Sequence, residues 1–302
     1  MKNSMWDVVI IGGGASGLSA ALVLGRSRRK VLVIDAQEAR NQVTRSSHGF
    51  LTRDGISPGE FKQISVDQLK RYPNVVYRKD RAVDVKKEDS LFKVATEMGS
   101  DVLSKRVIFA TGMKEELPDI RGLQEVYGTS VFPCPYCDGW ERREEPLAIF
   151  GNEEWLMSYI KLICNWSQDV MIFTNGPAKI TKEEKRELME RNIPLIETPI
   201  ECLQSTDGRL EKVITATGDA LERSGGFLME TGATQASRLP AKLGIGLGEM
   251  GEYHTQEGGE SSVKGMYIIG DAKNTFSGLM KAASEGYEVG ASINHELVLE
   301  EW

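Results

Sequence analysis

The sequence predicts an α/β fold of two parallel-sheet units, one of them carrying a β insertion. Three observations predict it. Val8-Val9-Ile10-Ile11 is a continuous β-branched run, as expected of a strand buried on both faces, and it breaks into Gly12-Gly13-Gly14-Ala15-Ser16-Gly17. A second strand-then-glycine stretch, Leu147-Ala148-Ile149-Phe150-Gly151, restarts the same order near the middle of the chain. Two more apolar runs, Val107-Ile108-Phe109 and Met266-Tyr267-Ile268-Ile269, end in the small turns Ala110-Thr111-Gly112 and Gly270-Asp271. Strands alternating with helical stretches in this way fit parallel sheets.

Taken in order, the first unit reads as Rossmann-like. Gly12, Gly14 and Gly17 have the G-x-G-x-x-G spacing, and 18–24 is helical in character. Gly12 permits a tight turn, Gly14 lets backbone approach a pyrophosphate, and Gly17 lets helix and strand pack closely. The free N–H groups of the helix start, at Ala15 and Ser16, favour the phosphates. Val31 to Ile34 is the next strand and Asp35 ends it, placed to bond a ribose hydroxyl. Arg26, Arg28, Arg29 and Lys30 read as a solvated helix end. His48, in Ser47-His48-Gly49-Phe50, reads as structural. The stretch to Phe61 is irregular, and 61–69 is helical until Tyr72-Pro73-Asn74. Strand character at 75–77, 82–85 and 91–94 forms the β insertion. The turn at Ala110, Thr111 and Gly112 lets backbone approach the bound nucleotide. Asp271 can bond a ribityl hydroxyl, and the helix opened by Ser277-Gly278-Leu279-Met280 and continued over 281–294 favours negative charge on a reduced flavin.

The middle of the chain holds Phe132-Pro133-Cys134-Pro135-Tyr136-Cys137-Asp138. Two cysteines two residues apart close a small ring, and thiol pKa values are commonly lowered in this motif. Asp138 is placed to carry a proton to or from a thiolate. A zinc half-site or a static staple are the alternatives. Zinc needs further ligands at short spacing, whereas Cys164, Cys202, His48, His254 and His295 are scattered, so no metal is expected. Beyond Leu147–Phe150, 155–166 is helical and 170–173 a strand. The intervening turn Gly151-Asn152-Glu153-Glu154-Trp155 sets like charge against a pyrophosphate, and Thr174-Asn175-Gly176 brings no cation for a 2′-phosphate. This unit keeps the fold and is expected to have lost the nicotinamide nucleotide. A charged surface helix at 181–191 and strands at 210–217 and 226–229 complete it.

The 302 residues suffice for two domains, and 31 glycines suit nucleotide-binding turns. A net charge of −7 argues against nucleic acid as a partner. No apolar run reaches the length of a membrane span, and no signal-peptide pattern precedes Trp6, which predicts the cytoplasm. A Cys-x-x-Cys there is more often catalytic than structural.

Gly12-Gly13-Gly14-Ala15-Ser16-Gly17, Ala110-Thr111-Gly112, Cys134-Pro135-Tyr136-Cys137-Asp138 and Gly270-Asp271 with Ala282-Ala283-Ser284-Glu285-Gly286 resemble the low-molecular-weight thioredoxin reductases. The resemblance spans nearly the whole chain. It implies an FAD domain made of 1–116 and 243–302, a central domain at 117–242 with the redox disulfide, and a homodimer. It implies that Cys137 faces the flavin, Cys134 exchanges with substrate and Asp138 is the acid/base. This chain lacks the family's Gly-Gly-Gly-x-Ser-Ala turn from 151 and the Arg pair after the next strand. It has Ser277-Gly278 where members carry Arg-Gln. Its Ser-His-Gly-Phe and Cys-Pro-Tyr-Cys stretches are similar to gliotoxin-type dithiol oxidases, and other members without the NADPH motif use ferredoxin. The expected function is therefore FAD-dependent dithiol/disulfide exchange with a small dithiol or thioredoxin-like substrate, and with oxygen as acceptor or ferredoxin as donor. A basic docking surface for ferredoxin has candidates in 26–30 and Arg142-Arg143. The alternatives are an NADPH-dependent thioredoxin reductase with a divergent turn and a non-catalytic redox-sensing flavoprotein.

Overall fold

A computed structural model describes residues 5–99 and 101–302. The chain forms two compact units. The first holds the chain up to Gln42, then Gly49–Lys114 and Thr234–Trp302; the second holds Val43–His48 and Glu115–Ala233. The return to the first unit thus falls at Thr234, ahead of 243. Its cause is a two-stranded ribbon, in which Thr234 pairs with Lys114 and Gln235 with Met113. Leu239 then buries itself in the first unit's core.

The first unit's sheet runs Val75–Lys79, Val31–Asp35, Trp6–Ile11, Asp101–Phe109, Leu91–Thr96, Ala82–Glu88, with Met266–Ile268 also on Asp101–Phe109. Val8 and Ile10 pack into one core layer with Leu18, Leu24 and Ile293, while Val9 and Ile11 pack into the other with Phe92 and Tyr253. Both faces are covered, hence the unbroken apolar run. Val75–Lys79 lies parallel to Val31–Asp35, so it belongs to the parallel sheet and not to the insertion. The insertion is the antiparallel pair Ala82–Glu88 and Leu91–Thr96, joined to the start of Asp101–Phe109. The half-buried face of an edge strand gives no continuous apolar signal, which is why Val75–Lys79 read as part of the insertion.

Helix Pro58–Leu69 starts earlier than 61, because Ser57 Oγ accepts the Glu60 N–H at 3.2 Å and Pro58 suits the first helical position. Helix Leu279–Glu301 extends well past 294 and packs on helix Ala15–Arg26. Gly286 makes that approach possible, since a Cβ there would lie 2.0 Å from the Ser16 carbonyl oxygen. The cation run does not read as expected at Arg29. That side chain is buried, donates to Asn294 Oδ1 at 2.8 Å and pairs with Glu301 at 2.6 Å, fastening the last helix rather than facing solvent.

The second unit's sheet is wholly parallel, in the order Leu195–Ile196, Val170–Phe173, Leu147–Phe150, Gly225–Leu228, Val131–Phe132. A separate antiparallel sheet holds Ile200–Thr206, Arg209–Thr215 and Ala220–Glu222. Helix Leu156–Ile163 is shorter than the 155–166 stretch, and Lys182–Glu190 starts from a capping box between Thr181 and Glu184. Among the described residues no helix is long and apolar enough to cross a membrane, and no three His, Cys, Asp or Glu side chains converge on a metal position.

Candidate active site

The glycine turn of the first unit has three different reasons for its three glycines. Gly12 sits at φ +114°, and a Cβ there would meet the Ala110 carbonyl oxygen at 2.2 Å. A Cβ on Gly17 would meet the Gly12 carbonyl oxygen at 2.1 Å, so that glycine sets the closeness of helix to strand. A Cβ on Gly14 would touch nothing within 4 Å, so the turn is open there, at the start of helix Ala15–Arg26. Ser16 is buried beneath it, next to Gly270. Thr111 Oγ1 is buried with no hydrogen-bond partner among the described residues, between Ala110 and Gly112. An orphaned hydroxyl beside an open, N–H-lined turn fits a polar ligand such as a dinucleotide.

Asp35, at the end of its strand, is buried and already engaged. It forms an ion pair with Lys62 at 2.5 Å and accepts from the Tyr77 hydroxyl and from the Gln37 N–H at 3.1 Å. Burial pushes its carboxyl up, but Lys62 and Tyr77 outweigh that and hold it below the usual range. Asp271 is engaged too, by Arg40 at 2.9 Å and by the N–H and hydroxyl of Ser277 at 2.8 and 2.9 Å. Ser277 therefore clamps the turn that leads into Leu279 and Met280 at the start of the last helix. Arg40 is a residue the sequence reading missed: it also donates to the Thr275 carbonyl at 2.7 Å and lies over the Phe276 ring.

The second unit carries the sulfur pair. Cys134 and Cys137 form a disulfide with Cα atoms 5.3 Å apart. Cys134 precedes a one-turn helix, Pro135–Asp138, whose first residue is the proline. Cys134's carbonyl accepts the N–H groups of Cys137 and Asp138 at 3.1 and 3.2 Å. Gly139 was overlooked in sequence, yet a Cβ there would meet the Pro135 carbonyl oxygen at 2.4 Å and the Trp166 ring at 2.8 Å. Trp166 in turn packs edge-on to Tyr136 at 5.6 Å. Cys134 is buried and Cys137 half-buried. Burial drives the Asp138 carboxyl up to about 7, with His48 opposing, Glu141 reinforcing and Arg142 opposing. A carboxyl poised near neutrality beside a disulfide can both give and take a proton.

The chain matches the profile of the pyridine nucleotide-disulphide oxidoreductases over residues 6–286. It belongs to that family. A probable thioredoxin reductase of Arthroderma benhamiae is 30% identical over 301 residues, covering 89% of this chain and 74% of the relative. Thioredoxin reductase sirT of Leptosphaeria maculans is 28% identical over 97% of this chain and 94% of its own. A solved putative thioredoxin reductase, TrxB from Bacillus anthracis, superposes with a TM-score of 0.94 at 39% identity, covering 98% of this chain and 100% of that one. The protein is accordingly a thioredoxin reductase-like disulphide oxidoreductase, an enzyme with two Rossmann-type units.

Within this pyridine nucleotide-disulphide oxidoreductase the second nucleotide turn is built differently from the first. Gly151 remains, packed against Met229. Asn152 bridges the turn to the loop after the next strand: its Nδ2 donates to the Pro177 carbonyl at 2.8 Å and its Oδ1 accepts the Lys179 N–H at 2.7 Å. Lys179 also reaches Glu153 at 3.9 Å. Glu230, just past strand Gly225–Leu228, has its carboxyl raised by burial and then by Glu153. The strand ends that usually receive a nucleotide here carry a side-chain latch and gathered carboxylates.

Proposed function

We propose that this enzyme is an FAD-dependent dithiol/disulfide oxidoreductase that passes electron pairs between flavin and the Cys134–Cys137 disulfide without ordinary NADPH binding. The observation that carries this is the disulfide with Asp138 beside it, poised near neutrality, in a unit whose own nucleotide turn is latched by Asn152. In the first unit Gly12, Gly14, Ala15, Ser16 and Gly17 would hold the FAD pyrophosphate, and Asp35 the adenosine ribose. Ala110, Thr111, Gly112, Gly270, Asp271, Leu279 and Met280 would line its flavin side. FAD supplies a two-electron acceptor or donor there.

The chain's own residues perform the thiol chemistry. A substrate thiolate attacks Cys134 Sγ, the Cys134–Cys137 bond breaks, and Cys137 leaves as a thiolate that Asp138 protonates. Asp138 then takes the proton of the second substrate thiol, which attacks the mixed disulfide and releases Cys134. The substrate leaves as a disulfide and the enzyme pair is left reduced. Cys134 is the more buried residue of the pair, and Cys137 is half-buried.

Of the candidate basic runs for an acidic protein donor such as ferredoxin, Arg29 is paired with Glu301 and Arg142 with Glu145, while Arg26, Arg28, Lys30 and Arg143 are exposed. We infer a small dithiol or thioredoxin-like substrate as reductant with oxygen as final acceptor, ferredoxin being the alternative donor, and a cytoplasmic homodimer.

Anaerobic mixing tests the reading. A small dithiol should bleach the flavin absorbance, and NADPH should leave it. Rapid bleaching by NADPH would overturn the account of the 151–179 region; a colourless protein that refuses added FAD would overturn the whole. Gly12→Val checks the cradle: its side chain would collide with the Ala110 carbonyl, costing about 1–3 kcal/mol of stability and releasing FAD on dialysis.

A further inference from the structure

The redox motif is seated on a single indole. Trp166 follows helix Leu156–Ile163, and its backbone is fixed on two sides: its N–H donates to the Ile163 carbonyl at 2.9 Å, and its carbonyl accepts the Glu144 N–H at 2.9 Å. Ser167, next in the chain, is buried and donates its hydroxyl to the Glu145 carbonyl at 2.6 Å. Two residues of the motif rest on the ring held in this way. The Gly139 backbone lies against it, so close that a Cβ there would stand 2.8 and 2.9 Å from ring carbons Cδ2 and Cε2. Tyr136, between the two cysteines, meets the same ring edge-on, with centroids 5.6 Å apart and planes at 90°. These contacts bracket Cys137, since Tyr136 immediately precedes it and Gly139 follows Asp138. Ahead of Cys134, the buried Tyr159 of the same helix donates its hydroxyl to the Pro133 carbonyl at 3.4 Å. We propose that Trp166 is a positioning residue that holds Cys137 against Cys134 and so favours the disulfide over the dithiol.

Proximity is the physical cause. Two thiols close to a disulfide more readily the less they can drift apart, because a freely moving thiol must first be brought back to its partner. Pro135 and Gly139 are buried, whereas Tyr136 is 75% exposed and packs its ring on Trp166. Reduction breaks the Cys134–Cys137 bond and leaves a thiol on each residue. The two electrons and two protons come from an incoming dithiol, which itself becomes a disulfide. The two sulfurs, no longer bonded, must then move apart to van der Waals separation. A fixed ring behind Tyr136 and Gly139 resists that movement on the Cys137 side, so it stabilises the oxidised form more than the reduced one. This preference belongs to the sulfur pair itself and holds whichever group finally takes or supplies the electrons.

A redox titration tests this. The FAD-loaded protein is equilibrated without oxygen in mixtures of oxidised and reduced dithiothreitol and then alkylated, and mass spectrometry gives the reduced fraction of the peptide that holds both Cys134 and Cys137. Trp166→Ala should raise the equilibrium constant for reduction roughly tenfold, which is about 30 mV for a two-electron couple. Trp166→Phe, which keeps a ring in place, should stay within about threefold of the parent. Tyr136→Ala removes an exposed side chain, which guards against a folding defect, and should shift the constant in the same direction as Trp166→Ala. A merely structural role would lower the melting temperature and leave the constant where it was, because it would destabilise both redox forms alike. An unchanged constant in either Ala variant, or a Phe variant that shifts as far as Trp166→Ala, overturns the proposal.

Discussion

Cys137→Ser should cut dithiol oxidation by at least about a thousandfold while the protein stays yellow, because the residues proposed to hold FAD all lie in the other unit. A serine oxygen neither forms the disulfide nor leaves as a stabilised anion, so the pair can store no electrons. Cys134→Ser should lose turnover to the same extent. Mass spectrometry after exposure to the disulfide form of the substrate separates the two sulfurs: Cys137→Ser should be trapped as a mixed disulfide through its remaining Cys134 thiolate, with release of one substrate thiol, and Cys134→Ser should not. Turnover that survives either substitution would mean that the sulfur pair is a static staple, and would revive the non-catalytic redox-sensing flavoprotein.

Asp138→Asn should lower turnover by roughly 10²- to 10⁴-fold, the usual contribution of a positioned acid/base, with binding of FAD unchanged. It should also make the protein more stable in alkaline solution, and the sign follows from linkage. The folded carboxyl, at about 7, lies above its ordinary 3.8, so the folded chain holds that proton more tightly than the unfolded chain. The group's stabilising contribution is complete below the unfolded value and is lost as pH rises toward the folded one. Asparagine carries no such loss. Melting curves should show little difference between variant and parent near pH 4 and a gain on the order of 1 kcal/mol near pH 8, after discounting for solvent screening. A variant that melts with the same pH dependence as the parent would show that Asp138 is not buried as a charge. A variant with full activity would remove it from the mechanism.

What local chemistry dictates was readable from the chain alone. Val8 to Ile11 had to be a strand with both faces covered, and of the glycines that follow Gly12 and Gly17 had to lie where strand, turn and helix crowd one another. The sulfur spacing at Cys134 and Cys137, and an acid in the next position, were equally local facts. So were the departures at 151–155, where Asn152, Glu153 and Glu154 follow Gly151. Tertiary structure decided what sequence neighbours could not. The place of Val75–Lys79 in the parallel sheet depended on a partner strand some forty residues earlier in the chain. Arg29 read as solvated until the end of the last helix arrived to pair with it. Gly139 looked incidental until Trp166 closed over it. His48 reads as a lone structural histidine in sequence, and only the folding of 43–48 onto the second unit brings its Nε2 to 3.7 Å from Glu141, since such a contact depends on distance through space and not along the chain.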